Sequence, residues 1–149
     1  MSDRILVAVD IGETDIASPA LEAAVEVART SGGSIRLVYV RSPIPVTRMD
    51  FIPPEYFEEQ EKLAASKLAD LARTIPLDAA RVSTASRFGA AYVGVLEEAR
   101  EWNADLIVVG AHQPTIATYL LGSNAKKIVR HAHCSVLVVR SNKKASLFD

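Results

Sequence analysis

Four short segments of the chain are apolar at almost every position: RILVAVD (4–10), SIRLVYV (34–40), DLIVVG (105–110) and SVLVVR (135–140). Runs of this length, rich in β-branched residues, are the pattern of strands covered on both faces. A fifth run, ARVSTASR (80–87), has only Val82 and Ala85 as apolar support in its middle, which predicts a strand nearer a sheet edge. Between the runs the apolar period lengthens to that of a helix. Ala17, Leu21, Ala24 and Ala28 fall at i, i+4, i+7 and i+11, with Ser18 and Pro19 as cap and first-turn residues and SGG (31–33) as the stop. Ala64, Leu68, Leu71 and Ile75 repeat that spacing downstream of Pro53 and Pro54, ended by Pro76. Tyr92, Leu96 and Ala99 make a third stripe. Ala125, Ile128, Val129 and Ala132 make a fourth, opened by Gly122 and Ser123. The stretch RSPIPVTRMDFIPPEY (41–56) holds four of the seven prolines and reads as a loop.

Strands that alternate with helices form β-α-β units, and right-handed crossovers then give a mostly parallel sheet with helices on both faces. The predicted object is an α/β protein, a three-layer α/β/α sandwich around a five-stranded parallel sheet. Residues 1–141 are expected to form its single domain and 142–149 a C-terminal tail. Ligands of such sheets sit beyond the carboxyl ends of the strands, where the winding direction reverses. That rule singles out Asp10, Val40 and Gly110.

Composition removes some functions. The 149 residues carry a formal charge of −1, with the charges scattered along the chain, so nucleic acid and an anionic membrane are not expected partners. No apolar run reaches the ~18 residues of a membrane span, and a cytoplasmic protein is expected. Cys134 is the only cysteine, which excludes an internal disulfide, fits a reducing compartment and reads as a packing residue.

Gly110 permits a sharp turn where the fourth strand ends. Gly122 and Ser123 then open a helix whose first N–H groups lack intrahelical partners and whose dipole favours an anion. The Ser123 hydroxyl and Asn124 add donors, so phosphates could be held there without a cation. The same residues also serve ordinary turn and N-cap chemistry, and spacing alone does not decide between the two. Asp10 has two readings as well: it faces a ribose or a metal, or it caps the following turn.

The order of RILVAVD, SIRLVYV and DLIVVGAHQPTIATYLLGSNAKKIVRHAHCSVLVVR resembles the universal stress protein family, UspA-like domains, over nearly the full chain. The resemblance implies an adenine nucleotide α-hydrolase-like fold with strand order 3-2-1-4-5. It also implies a homodimer through the last strand (136–140), or tetramers built from such dimers, and an ATP site of the form G-x2-G-x9-G-[ST]. Gly110 is the first glycine and Gly122-Ser123 the last pair. Gln113 replaces the second glycine, and eight residues, Pro114 to Leu121, stand where the motif has nine. The retained Gly-Ser pair matches the ATP-binding subgroup with a shortened loop. Carried over, the backbone around Ala8, Val9 and Asp10 lines the base and ribose, and the Val40 main chain reads the adenine edge. Val109, Gly110 and His112 line the ribose and phosphates, with Gln113 as an amide donor, and Gly122, Ser123, Asn124 and Ala125 hold the phosphates. For His112 the competing reading is a loop histidine bonded to a backbone carbonyl. The implied ligand is ATP, ADP or AMP, with or without Mg2+, in a stress-response regulator with protein partners yet to be identified.

Other motifs rank low. SGGS (31–34) follows a helix and precedes a strand, on the opposite edge of the sheet from the implied site, and reads as a helix C-cap. A Walker lysine motif is absent. His131, His133 and Cys134 lie at a junction where neighbouring side chains diverge, a poor metal site. Lys126, Lys127 and Arg130 read as a solvated helix face or a basic rim to the phosphates. No nucleophile and base stand at recognisable spacing, so a dedicated enzyme is not expected. Slow ATP hydrolysis, or self-phosphorylation at Thr115, Thr118 or Ser123, would be its limit. A nucleotide-free dimeric interaction module is the remaining class.

Overall fold

The computed structural model describes residues 3–10, 14–41, 53–111 and 122–140. His112, Gln113, the 142–149 tail and most of the proline-rich loop lie outside the described residues. Five strands form one parallel sheet: β1 (Arg4–Ala8), β2 (Ser34–Arg41), β3 (Val82–Phe88), β4 (Leu106–Gly110) and β5 (Ser135–Val139), in the order β3-β2-β1-β4-β5. Helices α1 (Thr14–Ser31), α2 (Pro54–Arg73), α3 (Ala91–Trp102) and α4 (Ser123–His131) connect them, and a 3-10 turn at Ala79–Arg81 precedes β3. The weakest strand run is indeed an edge, and β5 is the other.

The alternation of side chains along the central strands divides the core. Ile5, Val7, Val9, Ile35, Leu37 and Val108 pack with α1 and α2, whereas Leu6, Val38, Ile107 and Val109 pack with α3 and α4. Ile5, Leu6, Val7, Ile35, Leu37, Val38, Ile107 and Val108 are fully buried, as near-continuous apolar runs require when helices cover both faces of a sheet.

Several boundaries differ from the sequence reading. Helix α1 begins at Thr14, four residues before Ser18, and Pro19 lies inside it. A proline there removes one N–H bond, to the carbonyl four residues back, near the start of an 18-residue helix, a loss the remaining turns tolerate. Helix α2 includes Pro54 to Tyr56 of the expected loop, with Pro53 as N-cap and Pro54 in the position where a missing N–H costs nothing. It ends at Arg73, and Ile75 is buried after the helix, not within it. Val129 is 48% exposed, because the inward face of α4 is carried by Ala125 and Ile128. The stripe of α3 is rotated: Gly94, Val95, Glu98 and Ala99 are its buried residues, and Tyr92 and Leu96 flank them. Gly32, at φ 75°, ends α1 with its N–H bonded to the Ala28 carbonyl at 2.8 Å. This C-cap lies beside the amino-terminal end of β2, at the far end of the strands from the candidate site and not at the expected sheet edge, because β2 is an interior strand.

Glu98 is the one buried charged residue among those described. Arg36 Nη1 donates to its Oε2 at 2.8 Å, and Arg87 Nε to its Oε1 at 2.9 Å. Arg87 also reaches Glu101 Oε1 at 2.6 Å and Glu97 Oε1 at 3.3 Å, while Arg36 Nε donates to Ser83 Oγ at 2.9 Å. The Arg36 guanidinium stands 4.8 Å from the centre of the Trp102 ring. The network ties α3 to β2 and β3. Burial alone would raise the Glu98 carboxyl, but the hydrogen bonds and charges of Arg36 and Arg87 outweigh it and hold it below its ordinary value.

Candidate functional site

The winding direction reverses between β1 and β4, since β2 and β3 lie to one side and β4 and β5 to the other. The β1–β4 ladder stops at Val7–Val108. Continued, it would pair Ala8 with Val109 and Val9 with Gly110; instead the pairing stops at the reversal point, whose crevice holds the ligands of such sheets. Strand β1, expected to reach Asp10, ends at Ala8 for this reason. Val9 still donates its N–H to the Val38 carbonyl at 3.0 Å, so β1 stays attached to β2 for one more residue.

Strand β2 extends further than β1. The Val38 carbonyl faces β1, and the Arg41 carbonyl accepts from the Gly89 N–H at 2.8 Å on the β3 side. Backbone groups alternate sides along a strand, so the N–H and C=O of Val40 point to the β1 side, past the last residue of β1. By the same alternation the Ala111 N–H, which donates to the Val139 carbonyl at 2.9 Å, leaves the Gly110 backbone groups turned toward the crevice.

Ala8, Val40, Val109 and Ala125 meet in one apolar cluster on the α3/α4 face. Ala125 is buried in the first turn of α4, so its packing fixes where that helix begins relative to the strand ends. Gly122 is the N-cap, at φ −62° and ψ 156°, with no side-chain cap bond, and Ser123 and Asn124 are exposed beside it. Gly122 thus offers no side-chain acceptor to the first N–H groups of the helix, and the positive end of its dipole lies at the exposed Ser123 and Asn124. Val9 packs on the opposite face with α1, and Asp10 is exposed at the crevice mouth. Burial first, and the charge of Asp10 second, raise the phenol of Tyr39 above its ordinary value, with Arg41 acting the other way.

Of the twelve residues singled out in the sequence, Ala8, Val40, Val109 and Ala125 share the α3/α4-side cluster, Val9 packs on the other face, Asp10 and Gly110 follow the strand ends, Gly122, Ser123 and Asn124 open α4, and His112 and Gln113 are outside the described residues. The basic residues of α4 do not form a lysine clamp: Lys126 and Arg130 are exposed, and Lys127 places its Nζ 4.7 Å from the centre of the Tyr92 ring. Cys134 is partly buried against the α3/α4 cluster, and burial, then Asp105, push its thiol up, which fits packing. No group of three or more potential metal ligands occurs among the described residues, and no described helix is long and apolar enough to cross a membrane. Sequence reasoning missed Tyr39, Gly94 and Glu98, whose roles depend on neighbours distant in the chain.

A profile of the universal stress protein family matches residues 1–140. The chain is 33% identical over 143 residues to universal stress protein G of Salmonella typhimurium, covering 94% of this chain and all of that protein. It is 34% identical over 140 residues to universal stress protein A homolog 1 of Coxiella burnetii, covering 91% and 94% of the two chains. Among solved structures, UspA from Lactobacillus plantarum superposes with a TM-score of 0.73 at 23% identity, covering 93% of this chain and 98% of that one. A universal stress protein described in complex with cAMP superposes with a TM-score of 0.68 at 22% identity, covering 93% and 97%. With the family profile spanning residues 1–140 and curated relatives matching over more than nine-tenths of it, this chain belongs to the universal stress protein family, and with that family to the response to stress.

Proposed function

We propose that the protein is a stress-response regulator that binds an adenine nucleotide at the carboxyl ends of β1, β2 and β4 and the start of α4, and acts as a dimer. The observation that carries this reading is the convergence of three features on one corner. These are the end of the β1–β4 pairing, the Val40 backbone pair turned toward it, and the start of α4, where Gly122 supplies no side-chain cap and Ala125 packs in the same cluster as Ala8, Val40 and Val109. The Val40 N–H and C=O match the acceptor and donor that adenine presents at N1 and N6. Guanine presents the reverse order at the same edge. The N–H groups of Ser123, Asn124 and Ala125 suit phosphates, with the Ser123 hydroxyl as a further donor. Gly110, without a side chain, leaves room for the ribose between them, and Asp10 at the mouth suits its hydroxyls. ATP, ADP and AMP share these contacts, and Mg2+ would accompany the longer phosphate chains. The relative described as a complex with cAMP makes a nucleotide a reasonable ligand for this fold. Slow turnover is the most the site is expected to support, since the sequence sets no nucleophile and base at recognisable spacing.

The test is to denature the protein as purified from cells and chromatograph the supernatant. Adenine nucleotide approaching equimolar amounts is the expected result. A supernatant without nucleotide, together with no ATP binding by the refolded chain, would favour the nucleotide-free interaction module.

Dimerisation through residues 136–140 is part of the same proposal. Strand β5 is an edge, its outer backbone groups are not paired by another strand of this sheet, and Leu137 is 36% exposed on it. Leu137→Asp places a charge on that edge without entering either buried cluster. Sedimentation should show the variant as a monomer with its melting temperature nearly kept at high protein dilution. A dimer that survives the change would place the interface elsewhere.

A further inference from the structure

Gly94 lies in the first turn of α3, bonded through its N–H to the Ala90 carbonyl at 3.0 Å, and is buried. A glycine inside a helix costs roughly 0.5–1 kcal/mol relative to alanine. Its backbone gives no compensating reason, since only Gly32 and Gly89 among the described glycines have positive φ. The space around it does. A Cβ at position 94 would meet Val40 Cγ2 at 2.6 Å, Cγ1 at 2.9 Å and Cβ at 3.3 Å. Valine is stiff about χ1 and cannot swing both methyls aside, so an added methyl must displace either α3 or the end of β2. Helix α3 is anchored by the Glu98 network to Arg36 and Arg87. The end of β2 is held by β3 on one side, but on the other β1 has ended. Val40 is therefore the part that yields.

We infer that Gly94 is a positioning residue for base recognition: its missing side chain seats Val40 so that the Val40 backbone pair meets the base edge, and so sets the preference for adenine. The inference rests on the nucleotide site proposed above. Gly94 itself touches no ligand. It fixes the height of Val40, and through Val40 the two polar groups that tell adenine from guanine.

A double-mutant cycle with Gly94→Ala, Val40→Ala and the pair tests it, using calorimetric titration of the full chain with ATP, GTP and inorganic triphosphate. Gly94→Ala is expected to lower ATP affinity about tenfold and to shrink the ATP-to-GTP ratio by a similar factor, as overpacking under a recognition group does. Triphosphate, held at α4, should bind as to the native chain. Val40→Ala alone opens a gap under β2 and should weaken the ratio by a smaller factor. Filling that gap with the methyl that Gly94→Ala supplies should restore it, a non-additivity that a purely structural glycine would not produce in base preference. If Gly94→Ala does not fold, the comparison of Val40→Ala with the pair still decides. An ATP-to-GTP ratio unmoved in folded variants, or losses that simply add, would overturn the positioning role while leaving the site intact. A native chain that binds neither nucleotide would overturn the site itself, and the positioning role with it.

Discussion

Gly122→Asp should cut ATP affinity about 100-fold, or about 2.8 kcal/mol, through like-charge repulsion in the binding site, while leaving the fold as stable as before or slightly more so. The two effects separate because the same carboxylate acts on the same N–H groups in both states. Gly122 is the N-cap of α4, in extended backbone that any residue adopts, and it provides no side-chain cap. Aspartate is among the best N-cap residues, so the unliganded helix gains about 0.5–1 kcal/mol from a cap bond and the dipole. A bound phosphate would need those N–H groups and would meet a negative charge. Calorimetric titration and a thermal melt on one preparation measure both. Lost binding with an unchanged or raised melting temperature is the expected pair; undiminished ATP binding would show that the helix start is not where the phosphates sit.

The second large effect is on stability. Glu98→Gln should cost about 2 kcal/mol, because it leaves Arg36 and Arg87 facing a neutral amide in a buried position. The figure is below the usual cost of breaking a buried pair, since both arginines keep part of their side chains in solvent and Arg87 retains Glu97 and Glu101. At this chain length the melting temperature should fall by about 4–8 °C. The pH dependence follows from the lowered Glu98 carboxyl. A carboxyl depressed in the folded state stabilises fully above its unfolded value, about 4.3, and that stabilisation is lost as pH falls further through the folded value. The native protein should therefore lose stability below about pH 4 more steeply than Glu98→Gln does. Parallel acid curves for the two proteins would place the stabilising charge elsewhere.

Much of the architecture was legible in the sequence because it depends on local pattern. Strands β1, β2, β4 and β5 are buried or half-buried runs whose apolar continuity can be read without knowing their neighbours. The sparse run that became β3 was readable as an edge for the same reason. What depends on distant partners was not readable. Glu98 lies on α3 and reads as a solvated charge, yet Arg36, 62 residues earlier, makes it a buried anchor. Gly94 reads as a weak point in a helix until Val40 is placed beneath it. Pro19 looked like the start of α1 because a first-turn proline is the usual case, whereas the helix begins earlier and accepts the lost bond. Val129 fits the spacing of an inward stripe, but α4 is only nine residues long and Ala125 and Ile128 already cover the sheet. At the candidate site the chain order of Asp10, Val40, Gly110 and Gly122 pointed to one corner. The direction of the Val40 backbone could be set only by the register of β1, β2 and β3.

The most direct test of the central claim is an amide-resolved NMR titration of the isotope-labelled chain with ATP. Saturable shifts should appear at Val40, Gly110, Ser123, Asn124 and Ala125, with Gly32 and Gly33 at the far end of the sheet unmoved. A spectrum in which the start of α4 and the end of β2 stay still at saturating ATP would contradict the account.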